Sequence, residues 1–369
     1  MNDSILTIVI TLFTQIIVFL ACTFSPYISM RGVFFGVRLN EAYKKNKVIT
    51  CITKTYLLRC TAAFILSLIA TLWYMLNHNS ENQIAFAMVL SIFIFIGLCF
   101  VFFVKAHNQI KAFANTLEAP SNEITKTVVD TDFMKEKHRL RKYFRRLYIL
   151  PLLLVVGSIL YTFLNYSKLP EMIPTHWNLL GEADNWQVKS PMNLAMNSLM
   201  QLILLVILFY TSDHIFTTRG KLDTNNYETS KQSVIRYLQG MGYSFYTMTL
   251  SIVLIFTLIT FSMVNGTSLS VGFMVLGLIL PLLASVYMFI TWYRYKKNMP
   301  SHTSYSPEDE ESHWIWGSFY YNPNDPSLFI EKRYGIGWTI NLGTLAGKII
   351  MIITLLCIIG SIFLPLMLS

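Results

Sequence analysis

Eight stretches of this chain stay apolar for about 18 residues or more, at roughly 5–25, 57–77, 84–104, 147–166, 193–211, 243–263, 271–292 and 348–368. About 20 helical residues rising 1.5 Å each cover the ~30 Å of hydrocarbon in a bilayer. Inside that layer backbone amides and carbonyls must be satisfied by the chain itself, so such runs predict helices. Barrel strands would read as alternating segments of about ten residues, a pattern not found here. Composition agrees: 54% of residues are hydrophobic and 13% charged, with a mean hydropathy of +0.48. A soluble domain carries about 25% charged residues. The expected fold class is all-α, a polytopic helical membrane protein with about eight transmembrane helices. The first run follows an acidic "MND", exceeds a signal-peptide core and lacks a clear small-residue cleavage site, so it reads as a retained span.

Orientation follows from the basic residues between the runs. With the N-terminus outside, the inner connections hold 7 (Arg31 to Arg59), 10 (Lys105 to Arg146), 4 (Arg219 to Arg236) and 6 (Arg294 to Lys348) of the 29 lysines and arginines. Only Lys168 and Lys189 fall outside. The expectation is a multi-pass protein of a bacterial cytoplasmic membrane with both termini outside. The net charge of +9 is then an inner-face excess that sets topology, and direct nucleic-acid binding is not expected. The organisation reads as a three-span unit (1–104), a basic linker (105–146), a helical hairpin (147–211) with an outer loop at 169–191, and an inner connection with two spans (212–292). A small cytoplasmic aromatic and glycine-rich domain (293–347) precedes the last span (348–369).

Three inner segments are candidate contact surfaces. "KEKHRLRKYFRR" contains Arg139, Arg141, Lys142, Arg145 and Arg146. It would attract anionic membrane lipids by about 1 kcal/mol per basic residue, or dock a cytoplasmic partner. "FFGVRLNE" places Gly36 and Arg38 among aromatics. The stretch 313–343 brings together Trp316, Tyr320, Asp325, Arg333, Gly335 and Trp338. It reads as a compact domain on the headgroups or as a protein-binding surface, since these residue types dominate hot spots. "SLFIEKR" within it is too short for periodicity to separate strand from helix. "GTLAGKI" is one spacer short of a phosphate loop and lacks its Ser or Thr, so no nucleotide site is expected. The five cysteines form no CxxC pair and read as small apolar residues.

The outer loop, "LPEMIPTHWNLLGEADNWQVKSP", is the most polar and rigid segment between spans. It holds three prolines, three carboxylates, two tryptophans and one histidine. Pro170 and Pro174 disfavour helix just before them, so the chain should leave the fourth span extended. Asn178 and Gly181 suit a turn with a left-handed residue. Glu182, Asp184 and Lys189 are then near enough to pair with one another or with His176, under a cap held by Trp177 and Trp186. Three readings stand: a structural cap with His176 as a hydrogen-bonding strut, a recognition surface, or a catalytic or metal site built on His176, Glu182 and Asp184. No second histidine or nucleophile accompanies the last, so neither a catalytic residue nor a metal or other cofactor is assigned. Ionisable residues at mid-depth are sparse, which disfavours a proton-coupled transporter.

The loop resembles the signature of the DUF1648 family of bacterial membrane proteins, which includes the SdpI-type immunity proteins. Leu169, Pro170, Ile173, Pro174, His176, Asn178, Gly181, Glu182, Asp184, Trp186 and Lys189 carry the resemblance in order. Trp177, Ala183 and Val188 depart from it, and Ala183 leaves the turn without a usual proline. The loop "FFGVRLNE" is similar to a segment these proteins carry after their first span, and "WGSFYYNPNDPSLFIEKRYGIGWTINLG" resembles the DUF5808 domain. The resemblance implies a non-enzymatic protein giving immunity to, or sensing, a secreted antimicrobial peptide through the outer loop. A secreted peptide toxin outside and a transcriptional regulator inside are the implied partners. The alternative is a membrane-embedded enzyme or transporter acting on lipid or envelope material.

Overall fold

The computed structural model of the chain describes residues 3–29, 32–78, 81–117, 130–178, 181–217, 226–298, 312–334 and 337–367. In order, its elements are α1 (Asp3–Phe24), β1 (Val33–Phe34), β2 (Val37–Arg38), α2 (Lys47–Asn77), α3 (Glu81–Ala114), α4 (Thr131–Leu147), α5 (Ile149–Asn165), β3 (Met172–Trp177), β4 (Ala183–Val188), α6 (Pro191–Ile215), α7 (Tyr227–Asn265), α8 (Val271–Asn298), β5 (Trp314–Ile315), β6 (Phe319–Tyr320), β7 (Phe329–Glu331), β8 (Trp338–Ile340) and α9 (Leu345–Met367). Among the described residues, α1 to α3, the joined α4–α5, and α6 to α8 give seven helices long and apolar enough to cross a membrane. The eighth expected segment is also helical, as α9, whose part Leu345–Leu356 is a shorter apolar helix. This is a polytopic helical membrane fold with small two-stranded sheets between helices.

The chain forms two compact units, Met1–Thr125 with Pro300–Ser369, and Lys126–Met299. In the first, α1, α2 and α3 pack around Phe35, Tyr56, Cys60, Phe95, Cys99 and Phe103, all buried. Gln15 lies in this layer and donates to Thr71 and Ser91 on the two neighbouring helices, both at 3.0 Å. Cys60 and Cys99 are buried free thiols within the apolar cluster, as their apolar setting led one to expect.

Two segments read as polar connections, 105–146 and 212–242, are partly helical: in the first unit α3 runs on to Ala114, and in the second α4 starts at Thr131 and α7 at Tyr227. Being amphipathic, these segments contain no unbroken apolar run that would announce a helix. Val234, Tyr237, Leu238 and Met241 recur at helical spacing in α7 and are all buried. At 39 residues, α7 is about 58 Å long, nearly twice the hydrocarbon thickness.

Helices α4 and α5 follow α7 along its whole length. Asp130 meets the Tyr227 hydroxyl and, at 2.9 Å, Lys231 Nζ. Phe144 packs edge-on against Tyr243, with Gly242 leaving room for its ring. Further along, Tyr148 reaches Thr249 (3.2 Å), Ser158 reaches Thr257 (3.2 Å) and Tyr161 reaches Asn265 (3.2 Å). Deep in this bundle Gln201 of α6 is fully buried and donates to Val253 O and Thr257 Oγ1, both at 2.9 Å.

Charges fix α4 at both ends. Asp130 caps its first turn through the amides of Asp132 (2.7 Å) and Phe133 (3.1 Å). Hydrogen bonds from Tyr227 and Lys231 hold the Asp130 carboxyl below the usual carboxylate range. At the other end both Arg141 and Arg145 fork onto Asp213 of α6, with N–O distances of 2.5 to 2.9 Å. Asp213 is only 10% exposed at its side chain, whereas Arg145 is half exposed. We therefore expect Asp213→Ala to cost about 2 kcal/mol, between surface and buried ion pairs. A lower melting temperature in detergent, with faster amide exchange confined to 131–147, is the measurement; unchanged exchange there would show that apolar packing alone holds α4.

Candidate functional site: an anchored hairpin

The loop between α5 and α6 is a β-hairpin. Its strands pair antiparallel, Met172 with Val188, Ile173 with Gln187, Pro174 with Trp186, His176 with Asn185 and Trp177 with Ala183, with irregularities on either side of His176. Lys189 N donates to Glu171 O (2.7 Å), and Ser190 then caps α6 through Asn193 N (3.1 Å). The expected turn is present. Asn178 Oδ1 accepts from Glu182 N (3.0 Å), Gly181 N donates to Asn178 O (2.9 Å), and Gly181 has φ +77.

One face is fastened down. Leu169, Ile173 and Trp177 are buried with Leu194 of α6 and Met263 and Val264 of α7. Pro174 is buried and Pro170 exposed. The Trp177 indole donates to Thr267 O (3.2 Å), and Leu269 N donates to Gly181 O (2.8 Å). The chain linking α7 to α8 thus grips the hairpin turn. Sequence reasoning missed this partner: "NG" at 265–266 marks a turn, and Gly266 does end α7 in a left-handed conformation. Nothing in "GTSLS" announces what it would touch.

The other face is open. Met172 is 46% exposed, Trp186 44% and Val188 67%. Trp186 and Val188 lie two apart on one face of β4, with Met172 opposite Val188. The two tryptophans therefore separate, one anchoring and one displayed, instead of jointly holding a cap. Beside them His176 Nδ1 meets Asp184 Oδ1 at 2.6 Å, both side chains well exposed. His176 pairs with a carboxylate, not with backbone groups. Glu182 turns to the Asn178 amide (3.3 Å), so the three candidate ligands do not converge. Among the described residues Lys189 meets no carboxylate; its ammonium donates to Leu169 O (3.0 Å) and lies 4.9 Å from the Tyr166 ring centre.

The residues expected to form an aromatic contact surface lie in the first unit. Phe35–Gly36 is a two-residue hairpin turn with φ +48 and +81, and Trp316–Gly317 a second tip with φ +51 and +67. The tips abut through their glycines: a Cβ on Gly36 would lie 2.6 Å from Gly317 Cα. His107 supports both, its Nδ1 lying 2.8 Å from Phe35 O. Arg38 pairs with Val33 across β1–β2. Trp316 is exposed and edges onto Phe100; Arg333 is buried, with its guanidinium 5.2 Å from the Trp314 ring centre. Tyr320 is buried and reaches Asp325 (3.4 Å), while Trp338 pairs with Glu331 across β7–β8. "SLFIEKR" is thus a strand, and Gly335 lies outside the described residues.

The organiser of this module is a residue that sequence reasoning passed over. Fully buried Asn341 donates to Asn322 O (2.9 Å) and Asp325 O (2.8 Å) and accepts from Asn322 N (3.0 Å) and Gly343 N (2.9 Å). The glycines of "GTLAGKI" serve that packing: a Cβ on Gly347 would lie 2.0 Å from Asn341 O. The basic cluster is split. Arg141 and Arg145 are spent on Asp213, whereas Arg139, Lys142 and Arg146 are exposed.

A Cβ on Gly181 would sit 1.9 Å from Leu269 O, at a φ that L side chains resist. Gly181→Ala should therefore release the hairpin at a cost of about 2 kcal/mol or more. Proteolysis at the 178–182 turn, at equal membrane abundance, should rise sharply over Asn185→Ala, whose side chain is exposed; equal cleavage would show that the grip is dispensable.

With this geometry in place, comparison with known families gives two matches. Residues 153–202, covering most of α5, the hairpin and half of α6, match the domain of unknown function DUF1648. Residues 323–348, around Asn341, match DUF5808, a family of unknown function. Comparison with curated proteins and with solved structures gave no match. The chain is thus a multi-pass membrane protein similar to DUF1648 over its anchored hairpin and to DUF5808 over its Asn341-centred module.

Proposed function

We propose that the β3–β4 hairpin is the recognition element of a protein that protects a bacterium against a secreted antimicrobial peptide, or senses one. The supporting observation is the contrast between its two faces: Ile173 and Trp177 buried, and Met172, Trp186 and Val188 displayed beside the His176–Asp184 pair. A fixed backbone presenting an aromatic anchor and mixed charge loses little entropy on binding. In this reading the hairpin faces outside the cytoplasmic membrane, with both termini on that side. Arg146, next to the apolar part of α5, meets anionic lipids. The module around Asn341 reports to a cytoplasmic transcriptional regulator, and the chain itself contacts no nucleic acid.

A second reading, a transporter or membrane-embedded enzyme acting on lipid or envelope material, draws on a different observation. Asn193, Asn197 and Gln201 follow one face of α6 from the hairpin base into the bundle, and Gln201 Oε1 and Ser198 Oγ are buried without a hydrogen-bond partner among the described residues. Ligand movement across vesicles that Gln201→Leu abolishes would favour it.

The test of the first reading is expression in a peptide-sensitive bacterium challenged with a panel of secreted peptide toxins. At matched abundance, Trp186→Ala and His176→Ala should lower the tolerated dose roughly tenfold or more, the scale of a lost hot spot. Lys189→Ala should act differently, lowering abundance, because its ammonium braces Leu169 O. If no toxin is resisted by the intact protein, immunity fails; if the exposed-face variants protect fully, the hairpin is not the receptor.

A further inference from the structure

The basic helix α4 is two-faced, and apart from Arg146 its exposed face takes no part in the proposed peptide recognition. Phe133, Lys137 and Phe144 are buried, and Arg141 and Arg145 are held by Asp213. Lys135, Arg139, Lys142 and Arg146 are all exposed. At 100° per residue these four positions fall within an arc of about 60°, forming a row some 16 Å long. Among the described residues Lys135 and Arg139 pair with three-residue neighbours, Asp132 (3.0 Å) and Glu136 (3.7 Å), in contacts worth about 0–1 kcal/mol.

The direction of the row decides what it suits. A surface-lying helix would lay every cation on the headgroups. Here α4 runs beside α7, from Tyr227 and Lys231 at its start to Tyr243 near its end, and α5 continues beside the apolar half of the same helix. The row therefore climbs away from the hydrocarbon. Counting from Ile149 at 1.5 Å per residue, Arg146 stands about 4 Å out, Lys142 about 10 Å, Arg139 about 15 Å and Lys135 about 21 Å. The headgroup region is only roughly 5–8 Å deep on each side. Arg146 reaches it; the other three stand beyond.

We propose that Lys135, Arg139 and Lys142 form a docking ridge for an acidic segment of a soluble protein, at the end of α5 opposite the hairpin. Charge complementarity selects the partner, and standoff from the bilayer excludes headgroups as the main occupant. Fixing α4 through Asp130 and Asp213 holds the row straight and leaves its cations facing solvent, where the weak pairs of Lys135 and Arg139 can exchange for a partner's carboxylates.

The test uses the full chain in nanodiscs of neutral phosphatidylcholine, with a fluorescein-labelled glutamate-rich peptide of twelve residues as probe. Three proteins are compared at ~0.15 M salt. They are the native chain, a ridge variant (Lys135→Glu, Arg139→Glu, Lys142→Glu) and a control with the same charge change at exposed sites elsewhere (Lys44→Glu, Lys45→Glu, Arg236→Glu). Size-exclusion elution and melting temperature report folding. The ridge variant should bind roughly tenfold more weakly or worse, with the control within about threefold of native. Equal losses would mean net charge alone attracts the peptide and overturn the ridge, as would absence of native binding. A parallel arm with phosphatidylserine-containing nanodiscs separates the lipid alternative. If anionic lipid abolishes peptide binding while the ridge reversal removes lipid enrichment, the row is a headgroup site and the proposal fails.

Discussion

The helix packing of this protein depends on the shortage of water within its apolar spans. Helices that cross hydrocarbon satisfy their backbones internally, yet side-chain polarity there still needs a partner from another helix. Gln15 answers this in one unit by donating to hydroxyls on α2 and α3, and Gln201 answers it in the other by reaching a carbonyl and a hydroxyl of α7. These amides set which helix faces meet. Once α6 and α7 are in register, Leu194, Met263 and Val264 lie together at one end, and the hairpin has a floor to sit on.

The hairpin illustrates how loops between membrane helices can be rigid without being large. Two strands alone are marginal in water. This pair gains its order from Ile173 and Trp177 beneath and from the Gly181–Leu269 and Trp177–Thr267 hydrogen bonds at its tip. The display of Trp186 and Val188 is possible because the other face already bears the folding load.

Much of this was legible beforehand, and the failures have physical causes. Apolar length locates the spans because hydrocarbon thickness is a fixed ruler. Proline and glycine positions foretell an extended loop with a left-handed turn at Gly181. Amphipathic helices escaped, since α4 and the first half of α7 bury one stripe and never build an unbroken apolar run. Pairings between distant segments escaped altogether. "RLRKYFRR" reads as one uniform cluster, but only Asp213, some 70 residues on, sorts Arg141 and Arg145 from their neighbours. Asn341 looks like any loop asparagine until its four hydrogen bonds are seen.

Helix α7 contains no proline, and its contacts occupy both ends: Tyr227 and Lys231 with Asp130, and Asn265 with Tyr161. Such a rod sets phase as well as reach. Inserting or deleting one residue between those ends would turn one set of contacts by about 100° against the other while changing the length by only about 1.5 Å. Sequence drift can therefore change the side chains along α7 freely in comparison with its residue count, which is fixed by the azimuth that both ends must share.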